Sequence, residues 1–402
     1  MGGWAKGGGV DFYLFFLLML VGLVVLVWVK IFARLDRYRR DKKGQLWIMT
    51  CFACGLISII PPIAVYQVAD FVFGYDLRSG DTANNFFTMF LLVGPVEEFS
   101  KFFVFFICTM SLRSIKEPQD GILQGAAVAL AFASVENILY VYWYGFGVLF
   151  TRSLLCVTGH IVYSTLWSAP CAILVYGQSK KKMQVPANKV LPYLIPAAFV
   201  HGLYNFLLRL DLYYLAVFVD ILVLMAAIMI YLSLRKVSPY KRFRLTEWRK
   251  AIPRLQTGLM SHPNSFLLNR RIGLYYLYCG AYRKALAHFS SCLKIKRKNG
   301  DTMFYKGMAL LLAGSMDRGR DHLRRALIKV GTPTRVKLYQ LADRLILQEE
   351  PRRLLREEFD TFEVMRDLYG VRLPVRKVPN PLEYRDRRAR LWSGYALNKG
   401  SL

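Results

Sequence analysis

The chain has 402 residues with a formal net charge of +28, and 54% of its residues are hydrophobic; its mean hydropathy is +0.28. That is too apolar for an ordinary soluble protein and points to a helical membrane protein. The excess of Lys and Arg would suggest nucleic acid in a soluble chain, but here it gathers beside apolar runs. The positive-inside rule and anionic headgroups account for it there, so the expected partner is the lipid bilayer and no nucleic acid.

In chain order, Met1 to Val10 reads as a Gly-rich leader. An apolar run from Phe12 to Ala33 lacks a small-residue cleavage site and is followed by Arg34, Arg37, Arg39, Arg40, Lys42 and Lys43. This is the pattern of a signal anchor, with the N-terminus outside and the basic flank in the cytoplasm. Further spans are expected at Leu46 to Tyr75, Phe86 to Met110, Gly121 to Tyr144, Ser153 to Tyr176, Val190 to Leu208 and Tyr213 to Leu234. Pro61-Pro62 should kink the first of these. Arg113 with Lys116, Lys180 to Lys182 with Lys189, and Arg235 onward fall on alternate sides consistent with this order. The expectation is an all-α bundle of about seven spans, residues 11–234, with its C-terminus in the cytoplasm. Seven cysteines are scattered; the Cys51/Cys54 pair has no second pair or His cluster beside it, and all read as buried free thiols.

Within the bundle the stretch Leu91 to Phe106, LLVGPVEEFSKFFVFF, stands out. Each charged side chain near the bilayer centre costs roughly 2.5 to 3.5 kcal/mol on insertion scales, so Glu97, Glu98 and Lys101 imply a polar cavity inside the bundle. Glu97 and Lys101, four apart, share a helix face, and one carboxylate can pair with the lysine. Adjacent acids in low dielectric do not both ionise cheaply, which makes the pair a candidate acid/base site. Glu136 and Asn137 lie on the next span, His160 on the one after, His201 and Asn205 on the sixth. The comparable depths of these groups allow one shared cavity. Asp220 in the seventh span reads as a structural partner holding one helix against another.

These residues resemble a known family. Glu97-Glu98-Phe-Ser-Lys101 has the form EExxK, Phe132-Ala-Ser-Val-Glu136-Asn137 the form FxxxEN, with a lone His160 next and His201-Gly-Leu-Tyr-Asn205 as HxxxN. Four such motifs in this order on successive spans resemble the PrsW family of intramembrane proteases, relatives of the type II CAAX prenyl endopeptidases and the bacteriocin-immunity membrane proteins. The resemblance covers Phe86 to Leu208. It implies an endopeptidase of the bacterial cytoplasmic membrane that cleaves a membrane-anchored substrate such as an anti-sigma factor. It also implies Glu97 as the water-activating base, Glu98 and Lys101 as groups that tune it, and His160 sharing the water or a metal. His201 and Asn205 would stabilise the oxyanion, and Glu136 would orient a histidine.

Metal and glutamic mechanisms both remain open: Glu97, His160 and His201 are competent ligands for a divalent metal such as zinc. No HExxH, GxSxG or GxGD accompanies them, which disfavours the site-2 zinc, serine and presenilin-like aspartyl classes. The competing classes are a transporter, which would show internal repeats across its spans, and a non-catalytic membrane scaffold, which leaves the buried acids and histidines without a purpose.

After Leu234 the composition turns basic, and residues 235–262 read as a juxtamembrane connector lying on anionic lipid. From 263 to 370 a soluble helical domain is expected. Gly273 and Gly307, Gly280 and Gly314, Phe289 and Leu323, and Leu293 and Leu327 are each 34 residues apart, the tetratricopeptide period. The segment resembles two such repeats, with further helices at Thr334 to Tyr369, and implies a cytoplasmic peptide or protein partner. The tail, 371–402, is expected to be irregular.

Overall fold

The computed structural model describes residues 7–36, 42–73, 81–112, 114–179, 187–241, 243 and 247–329. These are helical, with no strand among the described residues. They form two units: residues 1–241 with 260–262, and residues 242–259 with 263–402.

In the first unit α1 spans Gly7–Leu35, so the helix reaches back into the expected leader. Its exposed Phe12, Phe15, Leu18 and Leu23 suit a lipid-facing surface. The next span is broken into α2 (Lys42–Gly55), a 3-10 turn at Leu56–Ile59 and α3 (Ile60–Phe73). The kink expected at Pro61-Pro62 thus falls one turn earlier. Pro62 has no N–H to bond the carbonyl of Ser58, four residues back. That carbonyl instead accepts from the hydroxyl of Ser100 at 2.5 Å.

Beyond α4 (Thr82–Phe87) come α5 (Gly94–Leu112), α6 (Pro118–Tyr144), α7 (Gly147–Thr151), α8 (Val157–Ser179), α9 (Leu194–Arg209) and α10 (Tyr213–Val237). α6 opens with Pro118 at N1 and a capping box between Glu117 and Asp120. It is the central helix, and every residue from Ala126 to Ala133 is buried. A helix buried on all sides cannot be amphipathic, so its sequence is apolar all round. Its Gly121-Ile-Leu-Gln-Gly125 step lets α8 come close: a Cβ on Gly121 would lie 2.2 Å from that of Ala172, and one on Gly125 would lie 2.5 Å from that of Ser168. Small residues four apart are the usual device for drawing two membrane helices together.

Among the described residues five helical stretches are long and apolar enough to cross a membrane: Phe12–Leu35, Leu46–Val72, Pro118–Tyr144, Leu191–Arg209 and Tyr213–Val237. Hydropathy and loop charge alone suggest about seven. The two that fall short have a common reason. α5 carries Glu97, Glu98 and Lys101, and α8 is diluted by Thr158, His160, Ser164, Thr165, Ser168 and Pro170, so the helices richest in polar function are the least apolar.

The second unit takes in α11 (Trp248–Ser261) as far as Leu259, with Ala251, Ile252, Leu255 and Gly258 buried on one face, where the sequence suggests a connector. α12 (Phe266–Tyr278), α13 (Tyr282–Ile295), α14 (Gly300–Leu312) and α15 (Met316–Lys329) follow as two helix pairs. The pairs are built alike: Gly280 and Gly314 take positive φ at the turns, 83° and 92°, and Gly273 faces Phe289 as Gly307 faces Leu323. The helices expected at Thr334 to Tyr369, the tail from Val371, and Arg37, Arg39, Arg40, Arg113 and Lys180 to Lys182 of the basic loops lie outside the described residues.

Candidate active site

Two stretches of π-helix set up the site. Thr88–Val93 runs into α5 and Arg152–Cys156 into α8. A π-turn inserts extra backbone and resets the face of the helix that follows, which is why such turns recur at functional sites. α5 then presents Glu97, Glu98 and Lys101 inward, and α8 presents His160. α9 approaches the first π-turn closely enough that a Cβ on Gly202 would lie 2.6 Å from the carbonyl oxygen of Met89. That approach brings His201 to the same place.

The three ligand-type residues converge. Glu97, His160 and His201 are all buried, and each offers one donor atom such that all three lie within 4.8 Å of one another. The two imidazoles meet edge to face, with ring centroids 5.0 Å apart.

Glu98 is fully buried and is held from three sides. Its Oε1 lies 2.6 Å from Lys101 Nζ and 2.9 Å from His201 Nδ1, and its Oε2 accepts from Trp167 Nε1 at 2.9 Å. A carboxylate accepts, so His201 carries its hydrogen on Nδ1, leaving Nε2 turned toward Glu97 Oε2 at 3.6 Å. Glu97 Oε1 accepts from the Tyr66 hydroxyl at 3.0 Å, while the buried Oε2 has no hydrogen-bond partner. Lys101 thus pairs with Glu98, three residues back, and stands 4.0 Å from Glu97. Helical spacing alone groups Glu97 with Lys101 on one face; Tyr66 and His201 draw Glu97 the other way.

On the far side of Lys101, its Nζ lies 2.9 Å from His160 Nδ1 and 4.5 Å from the centre of the Phe132 ring. An ammonium only donates, so His160 Nδ1 accepts and its Nε2 donates to Glu136 Oε2 at 2.9 Å. Asn205 sits one turn beyond His201, half-buried. Asp220 accepts from the Tyr163 hydroxyl and so ties α10 to α8, while the Tyr163 ring packs on His201.

The model of the PrsW family of intramembrane metalloproteases matches residues 43–232. A protein named protease PrsW from Shouchella clausii is 32% identical over 177 residues, 42% of this chain and 75% of that one. The chain belongs to the PrsW family. Protease PrsW of Bacillus subtilis is 28% identical over 174 residues, 43% of this chain and 73% of its own, and that of Geobacillus kaustophilus 28% over 173 residues, 43% and 71%. No solved structure matches it significantly. The chain is therefore an integral membrane protein and a PrsW-family intramembrane protease, and the matched segment contains every side chain of the buried cluster.

The donor set fits the metal that the family description implies. A buried carboxylate oxygen without a hydrogen-bond partner faces two imidazoles; Glu98 orients His201 through Nδ1 and Glu136 orients His160 through Nε2, and His160 Nδ1, which accepts from Lys101, would turn to a metal in place of that ammonium. Carboxylate–histidine pairs of this kind fix ring orientation at metal centres. Tyr66, Trp167 and Arg152 are site neighbours that sequence reasoning does not find. Tyr66 and Trp167 are ordinary membrane aromatics by sequence, and Arg152 falls at the boundary before a span. The partner-hungry Glu97 and Glu98 are the only signal that such donors must exist.

Proposed function

We propose that the chain hydrolyses a peptide bond in a membrane-anchored protein, at or within the bilayer, with Glu97 as the group that activates water. The observation that supports this best is Glu97 Oε2, buried and unpartnered, facing His160 and His201. Amide hydrolysis needs a base for the attacking water, an acid for the leaving amine and donors for the oxyanion.

Glu97 Oε2 is the oxygen free to take the proton, because Tyr66 occupies Oε1 and fixes the carboxylate plane. The same oxygen can then return that proton to the leaving amine. Glu98 and Lys101 form the clamp beneath it, steadying His201 and His160 respectively. His201 and Asn205, one turn apart on α9, are assigned to the oxyanion, a role in which His201 would donate from Nε2 once that nitrogen is protonated, since its Nδ1 hydrogen is held by Glu98. Glu136 holds His160. Glu97, His160 and His201 are also the residues that would hold a divalent metal such as zinc, which when bound supplies Lewis-acid polarisation and an acidified water.

The wider assignment follows the same reading. The protease domain is residues 11–234, in a bacterial cytoplasmic membrane, crossed about seven times with the N-terminus outside. The helix pairs from Phe266 to Lys329 act as tetratricopeptide-like repeats that bind a cytoplasmic protein or peptide.

The test is a comparison of new protein N-termini in the membrane fraction of bacterial cells expressing the wild type or Glu97→Gln. Cleaved membrane-anchored proteins present only with the wild type are expected. Identical sets of termini would overturn the proposal.

A further inference from the structure

Arg152 stands in the π-turn ahead of α8, one residue before the span expected from Ser153. Its side chain is turned inward, with 13% of its surface exposed, against a Glu136 side chain that is 14% exposed. Nη2 lies 2.9 Å from Glu136 Oε2. Nε donates to Asn137 Oδ1 at 3.0 Å. The guanidinium stacks 3.5 Å over the ring centre of Tyr140. Three points along α6 therefore fix one planar group, which a lysine could not satisfy together.

The decisive detail is that Glu136 Oε2, the oxygen held by Arg152, is the same oxygen that accepts from His160 Nε2. From these contacts we propose that Arg152 is a positioning residue of the hydrolytic site, acting through Glu136 to hold His160 in its Nε2–H tautomer with Nδ1 accepting from Lys101 beside Glu97 and His201. Asn137 and Tyr140 aim Arg152, which gives the Asn of the FxxxEN motif a role, since its amide oxygen takes the Nε hydrogen. Without the guanidinium, Glu136 would be a largely buried carboxylate free to rotate away, and the histidine would lose the acceptor that fixes its ring. A salt bridge that served only to staple α6 to the π-turn would have no need to share an oxygen with an imidazole.

The proposal rests on the hydrolytic reading of the cluster, and the test separates the two. Full-length wild type, Arg152→Met, Arg152→Lys, Glu136→Gln and Arg152→Met/Glu136→Gln are purified in detergent, with Glu97→Gln as the blank, and assayed on a mixture of quenched fluorogenic peptides. The same proteins, labelled with ¹⁵N-histidine, give the His160 tautomer from the imidazole spectrum, assigned with His160→Asn. Expected are a roughly 10- to 100-fold loss of turnover in Arg152→Met with apparent KM little changed, and a mixed-tautomer His160 signal. The double variant should be no slower than Glu136→Gln alone, and Arg152→Lys should regain part of the loss. If Arg152→Met does not accumulate, Arg152→Lys combined with Glu136→Gln carries the same comparison.

Turnover within about twofold of wild type in Arg152→Met, losses that multiply in the double variant, or an unchanged His160 spectrum would each overturn the role of Arg152. A wild type no faster than the Glu97→Gln blank would instead overturn the hydrolytic reading beneath it.

Discussion

Glu98 Oε1 lies 2.9 Å from His201 Nδ1, so the second glutamate of the EExxK motif acts on the histidine contributed by α9, far along the chain, and the first is left to face the open side of the ring. The two adjacent acids therefore have different jobs. Glu98 is fully buried and holds Lys101, His201 and Trp167 together. Removing one partner of a buried ion pair costs about 3 to 5 kcal/mol. Glu98→Ala should accordingly lose both stability and activity, read as a lowered melting temperature in detergent alongside lost cleavage. An Ala variant as stable as wild type would contradict this account of the clamp.

Tyr66 predicts a smaller, separable effect. Its hydroxyl donates to Glu97 Oε1, and a hydrogen bond to a charged group contributes about 1.5 to 3 kcal/mol. Tyr66→Phe should lower turnover about 10- to 100-fold and lower the melting temperature by less than Glu98→Ala does. Unchanged turnover would show that Oε1 does not need its donor.

The break in the second span gives a test of stability alone. Ser100→Ala deprives the Ser58 carbonyl of the donor that replaces the missing N–H of Pro62. A buried acceptor left unpaired costs about 1 to 3 kcal/mol. Thermal unfolding of Ser100→Ala should show that loss, while Ser100→Thr, which keeps the hydroxyl, should retain most of the stability.

Much of this architecture is legible in the sequence. The order of apolar runs, the intramembrane acids and the two histidines locate the bundle and its polar centre, because a charge in an apolar span is too costly to be there without partners. The partners themselves are hidden. Whether Glu97 or Glu98 takes Lys101 is a choice between i+4 and i+3, which are equally near on a helix, and Trp167 and Tyr66 on other helices decide it. The phase of α5 and α8 depends on π-turns at Thr88–Val93 and Arg152–Cys156, and no residue pattern announces an extra residue in a helical turn. In the C-terminal unit the 34-residue spacing of Gly273 and Gly307 is legible because each must admit a large side chain at the same point of its helix pair.

The end of the membrane unit sets a further expectation. Ser238 bonds Glu117, and both are buried, so the bundle needs the chain just past α10. A chain ending after Lys241 should stay inserted and cleave a peptide in detergent, because all the clustered side chains precede it. A chain ending after Lys236 should be less stable, since Glu117 loses that partner. Equal stability of the two forms, by thermal unfolding in detergent, would show that the Ser238 contact is dispensable.

The central claim is that Glu97, with its free oxygen opposite His160 and His201, is the hydrolytic group. The most direct measurement compares purified wild type, Glu97→Gln and Tyr66→Phe, reconstituted in proteoliposomes, on one membrane-anchored substrate found by the N-terminus comparison. Glu97→Gln preserves shape while removing the base, so turnover should fall by roughly 10² to 10⁴ with the melting temperature close to wild type. Cleavage by Glu97→Gln at the wild-type rate would contradict the account.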